Sequence, residues 1–233
     1  MPTSTRATTR DRIVRAATDL LSAGGRAAVS TRSVSTAAGV QPPTIYRQFG
    51  DMDGLLDAVA TQAFEDYLRD KRDLGETGDP VDDLRRSWDL HVDFGLTKPM
   101  FYTLGYGGPG DEKASTLRAE ALERLTGMVA RVAAAGRLTM SVERATALIH
   151  ANGLGLVLSQ IAIPPADRDP RLPAVARELV LSSITTGPTE AAGDVPSQAT
   201  ALRVALGNHP GNPLSPTEAA LLDDWLRRLA DTN

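Results

Sequence analysis

Residues 30–56 read STRSVSTAAGVQPPTIYRQFGDMDGLL, and this stretch decides the fold. Ser30 is an N-cap residue, since its hydroxyl can accept from a backbone N–H of the following turn. Val34, Ala37 and Ala38 share helical spacing and form the expected inner face of a short first helix. Gly39 stands where that helix must stop and the chain reverse, and glycine tolerates the left-handed conformation such a stop uses. Val40 fills the corner. Gln41 precedes a proline and is pushed out of the helical region. Pro42 suits the first position of a second helix, where its missing N–H costs nothing. Ile45 and Phe49 point inward, leaving Tyr46, Arg47 and Gln48 outward. Two short helices joined by a glycine turn, the second with a polar and basic outer face, form a helix-turn-helix suited to a major groove.

The segment before it completes a three-helix bundle. Ile13, Ala16, Ala17, Leu20 and Leu21 follow the i, i+3, i+4 pattern of one apolar stripe, and Gly24-Gly25 ends it. Such a bundle of roughly 50 residues is too small to be very stable alone, so a fourth helix from Asp51 is expected to anchor it. Charge divides the same way. Residues 1–50 hold seven Arg against two Asp, a net +5, while the chain as a whole carries −4, leaving −9 on residues 51–233. A basic end neutralises phosphate, and an acidic body turned away from DNA orients the protein.

The pattern RIVRAATDLL…VSTRSVSTAAGV…TIYRQFGDMDGLL over residues 10–56 resembles the DNA-binding domain of the TetR/AcrR family of bacterial regulators. The AAGV turn, Ile45-Tyr46, Phe49 and Leu55-Leu56 carry the resemblance most specifically, and it covers about a fifth of the chain. It implies an all-α dimer that binds double-stranded operator DNA and answers to a small-molecule effector. Thr31 and Arg32 open the first short helix, where N–H groups and a hydroxyl can meet phosphate. Tyr46 matches the family's groove-edge tyrosine, which reaches a phosphate. Thr44 and Arg47 are expected groove readers, Gln48 stands where His is common, and Gln41, Pro42 and Pro43 open the recognition helix. Two departures stand out. Pro42 and Pro43 offer no N–H, so they either touch a thymine methyl or stiffen the turn. Met52 stands where the family often has Lys, which puts one phosphate contact in doubt.

The rest of the chain also reads as helix, giving an all-α fold with a larger C-terminal domain for ligand binding and dimerisation. The expected division is 1–50, with a disordered arm over about 1–9; 51–190; and a C-terminal linker and helical extension at 191–233. Helices are expected over about 51–74, 80–96, 98–106, 112–135, 141–161, 172–184, 198–206 and 215–230, with 185–197 as a linker. Ser215-Pro216-Thr217-Glu218 is a capping box for the last of them. The resemblance makes 141–161 and 172–184 the dimer helices, and Ala147, Ala151, Gly153 and Gly155 would permit close approach. Glycines lying beneath a bulky neighbour would give the same pattern.

Candidate effector contacts are Trp88, His91, Phe94, Phe101, Tyr102, Tyr106, His150 and Asn152, aromatic or polar residues that could line a cavity between helices, although a lone His or aromatic is core more often than ligand contact. No cysteine is present, the three histidines are scattered, and neither a metal site nor another cofactor is expected. The N-terminus lacks the apolar core of a signal peptide, and the most apolar stretch, 148–163, holds His150, Asn152 and Gln160, so no membrane span is expected and a cytoplasmic location fits. Neither a phosphate loop nor a nucleophile elbow is present, so the chain is not read as an enzyme. Three functions remain in view: a ligand-responsive repressor; a helix-turn-helix-like interaction module without specific DNA binding; and, last, an enzyme with a site assembled from distant helices.

Overall fold

The computed structural model describes residues 8–106, 112–187, 194–207 and 214–232, and among these it is helical with no strand. Two compact units divide the chain, Met1–Lys71 with Phe94–Ala119, and Arg72–Asp93 with Glu120–Asn233.

In the first unit, α1 (Thr9–Ala28) opens with a capping box: Thr8 accepts from the Asp11 N–H at 3.1 Å and donates its own N–H to the Asp11 carboxylate at 2.9 Å. Helix therefore replaces the last part of the expected arm, since Thr8 caps and Thr9 begins it; residues 1–7 lie outside the described residues. Ile13, Val14, Ala16, Ala17 and Leu21 are buried, whereas Leu20 is only half-buried. Gly25, at φ +63°, breaks the helix where the glycine pair predicts, and one further turn follows to Ala28.

Helix α2 (Thr31–Ala38) is capped by Ser30, which exchanges bonds with Ser33. It ends at Gly39 in the left-handed conformation, with the Val40 N–H donating to the Ser35 carbonyl at 3.0 Å. Val34 and Ala38 are buried as expected. Ala37 is exposed, a correction: the helix turns Ser35 inward in its place. Helix α3 (Pro42–Phe49) buries Ile45 fully and Phe49 in part. Helix α4 (Met52–Asp73) starts on Asp51, whose carboxylate accepts from the Gly54 N–H at 2.8 Å. The unit runs well past residue 50 because the small bundle needs cover: α4 buries Leu55, Leu56, Val59, Phe64 and Tyr67, and α6 (Pro99–Tyr106) packs on α1.

The second unit takes the first part of α5 (Pro80–Thr97), which Asp79 opens by accepting from the Val81 N–H, and most of α7 (Glu112–Ala134). Then come α8 (Val142–Ile161), α9 (Leu172–Ile184), α10 (Val195–Gly207) and α11 (Pro216–Ala230). Helix α10 begins three residues inside the expected linker, because Asp194 accepts from the Ser197 N–H at 2.9 Å. The Asp83 carboxylate, 3 % exposed, is held by Arg131 at 2.7 Å and by the Thr77 N–H at 2.8 Å. Leu226 and Ala230 of α11 pack on Ala199 of α10, so this helix covers its own chain. Asp231 then accepts from both the N–H and the hydroxyl of Ser141, at 3.1 Å each, which ties the end of α11 to the cap of α8.

Candidate nucleic-acid interface

All nine residues expected at DNA fall on the start of α2 or on α3 and its N-cap, Gln41. Arg32, Gln41, Pro42, Pro43, Tyr46, Arg47 and Gln48 are exposed, while Thr31 and Thr44 are half-buried. Burial of Ile45 at the back of α3 is what turns Tyr46, Arg47 and Gln48 outward. The Thr31 and Tyr46 hydroxyls are 3.0 Å apart, joining the first turn of α2 to the middle of α3. Arg32 and Arg47 enter no ion pair among the described residues, so both guanidiniums keep their donors for a ligand.

The first turn of α3 is chemically unusual. Pro42 and Pro43 hold its first two positions, Gln41 makes no side-chain cap, and the Thr44 N–H is spent on the Gln41 carbonyl at 2.9 Å. This turn therefore presents ring carbons, the Gln41 amide and the Thr44 hydroxyl instead of a set of free N–H groups. One residue that the sequence reading passed over is Arg10, whose guanidinium carbon lies 5.0 Å from the centre of the Phe49 ring at the end of α3. No short-range spacing links residues 10 and 49; the contact exists only once α1 has packed.

Residues 13–59 match the family described as bacterial regulatory proteins, tetR family. The chain carries a TetR-family domain. Regulators of this family are DNA-binding transcription regulators, and the match spans α2, the glycine turn and α3. Solved structures agree in fold. A TetR/AcrR-family transcriptional regulator from Thermobifida fusca YX-ER1 is 21% identical with a TM-score of 0.63, over 74% of this chain and 96% of that one. A protein of unknown function from Rhodococcus sp. RHA1 is 16% identical with a TM-score of 0.65, over 80% and 100%. The fatty acid degradation regulator FadR from Bacillus halodurans is 17% identical with a TM-score of 0.59, over 73% and 97%. No curated protein matches the chain.

The eight expected effector contacts do not form one group. Phe94, Tyr102 and Tyr106 join Phe64 and Tyr67 in a buried aromatic cluster in the first unit. Tyr67 stacks on Phe94 at 4.5 Å, and Tyr102 meets Tyr106 at 4.6 Å. Burial raises the phenol pKa of Tyr67, Tyr102 and Tyr106 well above the ordinary value. Phe101 lines a separate cavity of about 210 Å³ together with Leu21, Ala63, Lys98 and Met100. Trp88 and His91 lie in the second unit against Gly153 of α8, where an added Cβ would come 3.4 Å from the His91 ring. The Trp88 Nε1–H is buried with no hydrogen-bond partner among the described residues. His150 is half-buried, and Asn152 is exposed and donates to the Leu148 carbonyl one turn back at 2.8 Å.

Helices α8 and α9 carry an uncovered apolar face. Leu148, Leu158, Leu172, Val175 and Leu179 are all exposed, the last to 66%. Ala147, Ala151 and Gly155 are exposed on α8, and a Cβ on Gly155 would meet nothing within 4 Å. Gly153 alone of the small residues there lies beneath bulky side chains. Among the described residues no group of three or more His, Cys, Asp or Glu is placed to hold a metal ion, and no helix is long and apolar enough to cross a membrane.

Proposed function

We propose that the chain is a ligand-responsive, sequence-specific repressor of transcription, acting in the cytoplasm as a homodimer on a palindromic operator and released by a small-molecule effector. The observation that carries this reading is the face of α2 and α3 that presents Thr31, Arg32, Gln41, Thr44, Tyr46, Arg47 and Gln48 together, its two arginines in no ion pair among the described residues. Phosphate contacts by Thr31, Arg32 and Tyr46 would set register, while Gln41, Thr44, Arg47 and Gln48 would face base edges.

The uncovered face of α8 and α9 supports dimerisation, since a contiguous exposed apolar surface marks an association site. A dimer would present two α3 helices to half-sites about 34–36 Å apart, or a multiple of that. The unpartnered Trp88 Nε1–H favours an effector that brings a hydrogen-bond acceptor to α5 and α8. Such a ligand would act by preferring the conformation whose half-site spacing is wrong for the operator.

Selection of full-length protein against a random duplex pool tests the reading, followed by titration of the recovered duplex at two salt concentrations. A palindromic consensus bound in the presence of competitor DNA is the expected result. Recovery of no consensus, with binding that disappears in salt, would leave an interaction module as the better description.

A further inference from the structure

We propose that Arg10 is a phosphate contact, held for that purpose by the Phe49 ring; this rests on the DNA-binding reading. The opening turn of α4, directly after α3, holds Asp51, Met52 and Asp53 and no cation. Asp51 is engaged with the Gly54 N–H, and Asp53 lies 3.6 Å from Arg26. A phosphate passing the end of α3 would meet a carboxylate-bearing turn unless a cation came from elsewhere. Arg10 supplies it. It is exposed, it enters no ion pair among the described residues, and its guanidinium lies over the half-buried ring at the end of the recognition helix.

The mode of contact matters. An arginine paired with a carboxylate spends its donors and its charge. An arginine stacked on an aromatic face spends neither, because its N–H groups point outward in the guanidinium plane. Stacking also restricts the side chain in advance, so less freedom is lost when a phosphate binds it through two parallel N–H bonds. The half-buried Phe49 is thus the platform that aims Arg10 along the edge of the groove.

The test compares wild type, Arg10→Gln and Arg10→Lys, all full-length, on the duplex recovered by selection. Affinity is measured across a salt series, base preference by single-base substitution, and melting temperature alongside. Arg10→Gln is expected to flatten the dependence of log affinity on log salt by about 1 per protomer, about 2 per dimer, with base preference unchanged. Arg10→Lys is expected to keep most of the slope. An unchanged slope in Arg10→Gln, whatever its melting temperature, would overturn the proposal and leave the DNA-binding reading intact. Relaxed preference at one base pair would overturn it too, because Arg10 would then be reading sequence. A wild type that recovers no consensus overturns both readings together.

Discussion

The hydroxyl oxygens of Thr31 and Tyr46 lie 3.0 Å apart across fifteen residues of sequence, and both belong to the exposed face of the helix-turn-helix. One side chain starts α2 and the other stands in α3, so the bond fixes the two helices at the point where a DNA backbone would run. An exposed bond of this kind contributes little to folding, roughly 0.5 kcal/mol. Tyr46→Phe and Thr31→Val should each lower operator affinity by more than they lower stability, and the double variant should lose less than the sum of the two. Chemical denaturation and titration of the four proteins would check this, with exact additivity in DNA binding counting against a shared role.

Arg47 is exposed, in no ion pair among the described residues, and in the last turn of the recognition helix. Arg47→Ala is expected to cost about 1–3 kcal/mol of operator binding and to relax preference at a single base pair. Competition with a set of singly substituted duplexes would show whether the loss is local. A uniform loss across all sequences would make Arg47 a backbone contact.

Pro42 and Pro43 put ring carbons where most recognition helices put polar groups. The major-groove feature that matches such a surface is the C5-methyl of thymine. Replacing single thymines by deoxyuridine should weaken binding about fourfold at one position of each half-site, the value of roughly one buried methyl group. Pro43→Ser should abolish that sensitivity. Equal binding to every uridine-substituted duplex would mean the prolines only stiffen the turn.

Gly54 occupies the first turn of α4 so close to the Phe49 carbonyl that an added Cβ would overlap the oxygen. Gly127, in the exposed middle of α7, has open space around it. The same substitution should therefore act with opposite sign. Gly54→Ala is expected to destabilise by about 1–3 kcal/mol, and Gly127→Ala to stabilise by about 0.5–1 kcal/mol through the ordinary helix preference. Thermal melts of both variants would decide it, and a neutral Gly54→Ala would show that α4 can shift away from α3.

Leu179 and Val175 are the most exposed apolar residues of α9. Leu179→Glu should convert a dimer into a folded monomer, because a charge in the centre of an apolar contact must be desolvated without a partner. Sedimentation together with circular dichroism would separate lost association from lost folding. An unchanged sedimentation coefficient would place the dimer contact elsewhere.

Signals confined to a few neighbouring residues were legible in the sequence. Ser30 and Ser215 cap the helices they were expected to cap, and Gly39 takes the left-handed turn, because each of these acts through the backbone within five residues. What depends on packing was not. Ala37 fits the inner spacing as well as Ser35, and only the angle at which α2 meets its neighbours makes Ser35 the buried one. Trp88, His91 and Phe94 stand within two turns of α5, yet Phe94 joins the aromatic cluster of one unit while Trp88 and His91 belong to the other. Asn152 interrupts an apolar helix on its outer face, which sequence alone cannot distinguish from its inner face. Arg10 escaped notice for the same reason, since its partner is 39 positions away.

The chain has two tryptophans, Trp88 at 4% exposure and Trp225 at 49%. Their indoles accordingly sit in opposite media, and their fluorescence separates without any label. Trp88, buried beside Gly153, should emit at shorter wavelength and be sheltered from acrylamide, while Trp225 on α11 should emit red-shifted and be readily quenched. With Trp225→Phe, the remaining signal comes from the buried indole, whose N–H has no partner among the described residues. A molecule that supplies an acceptor there would announce itself by changing the colour of the protein's own light.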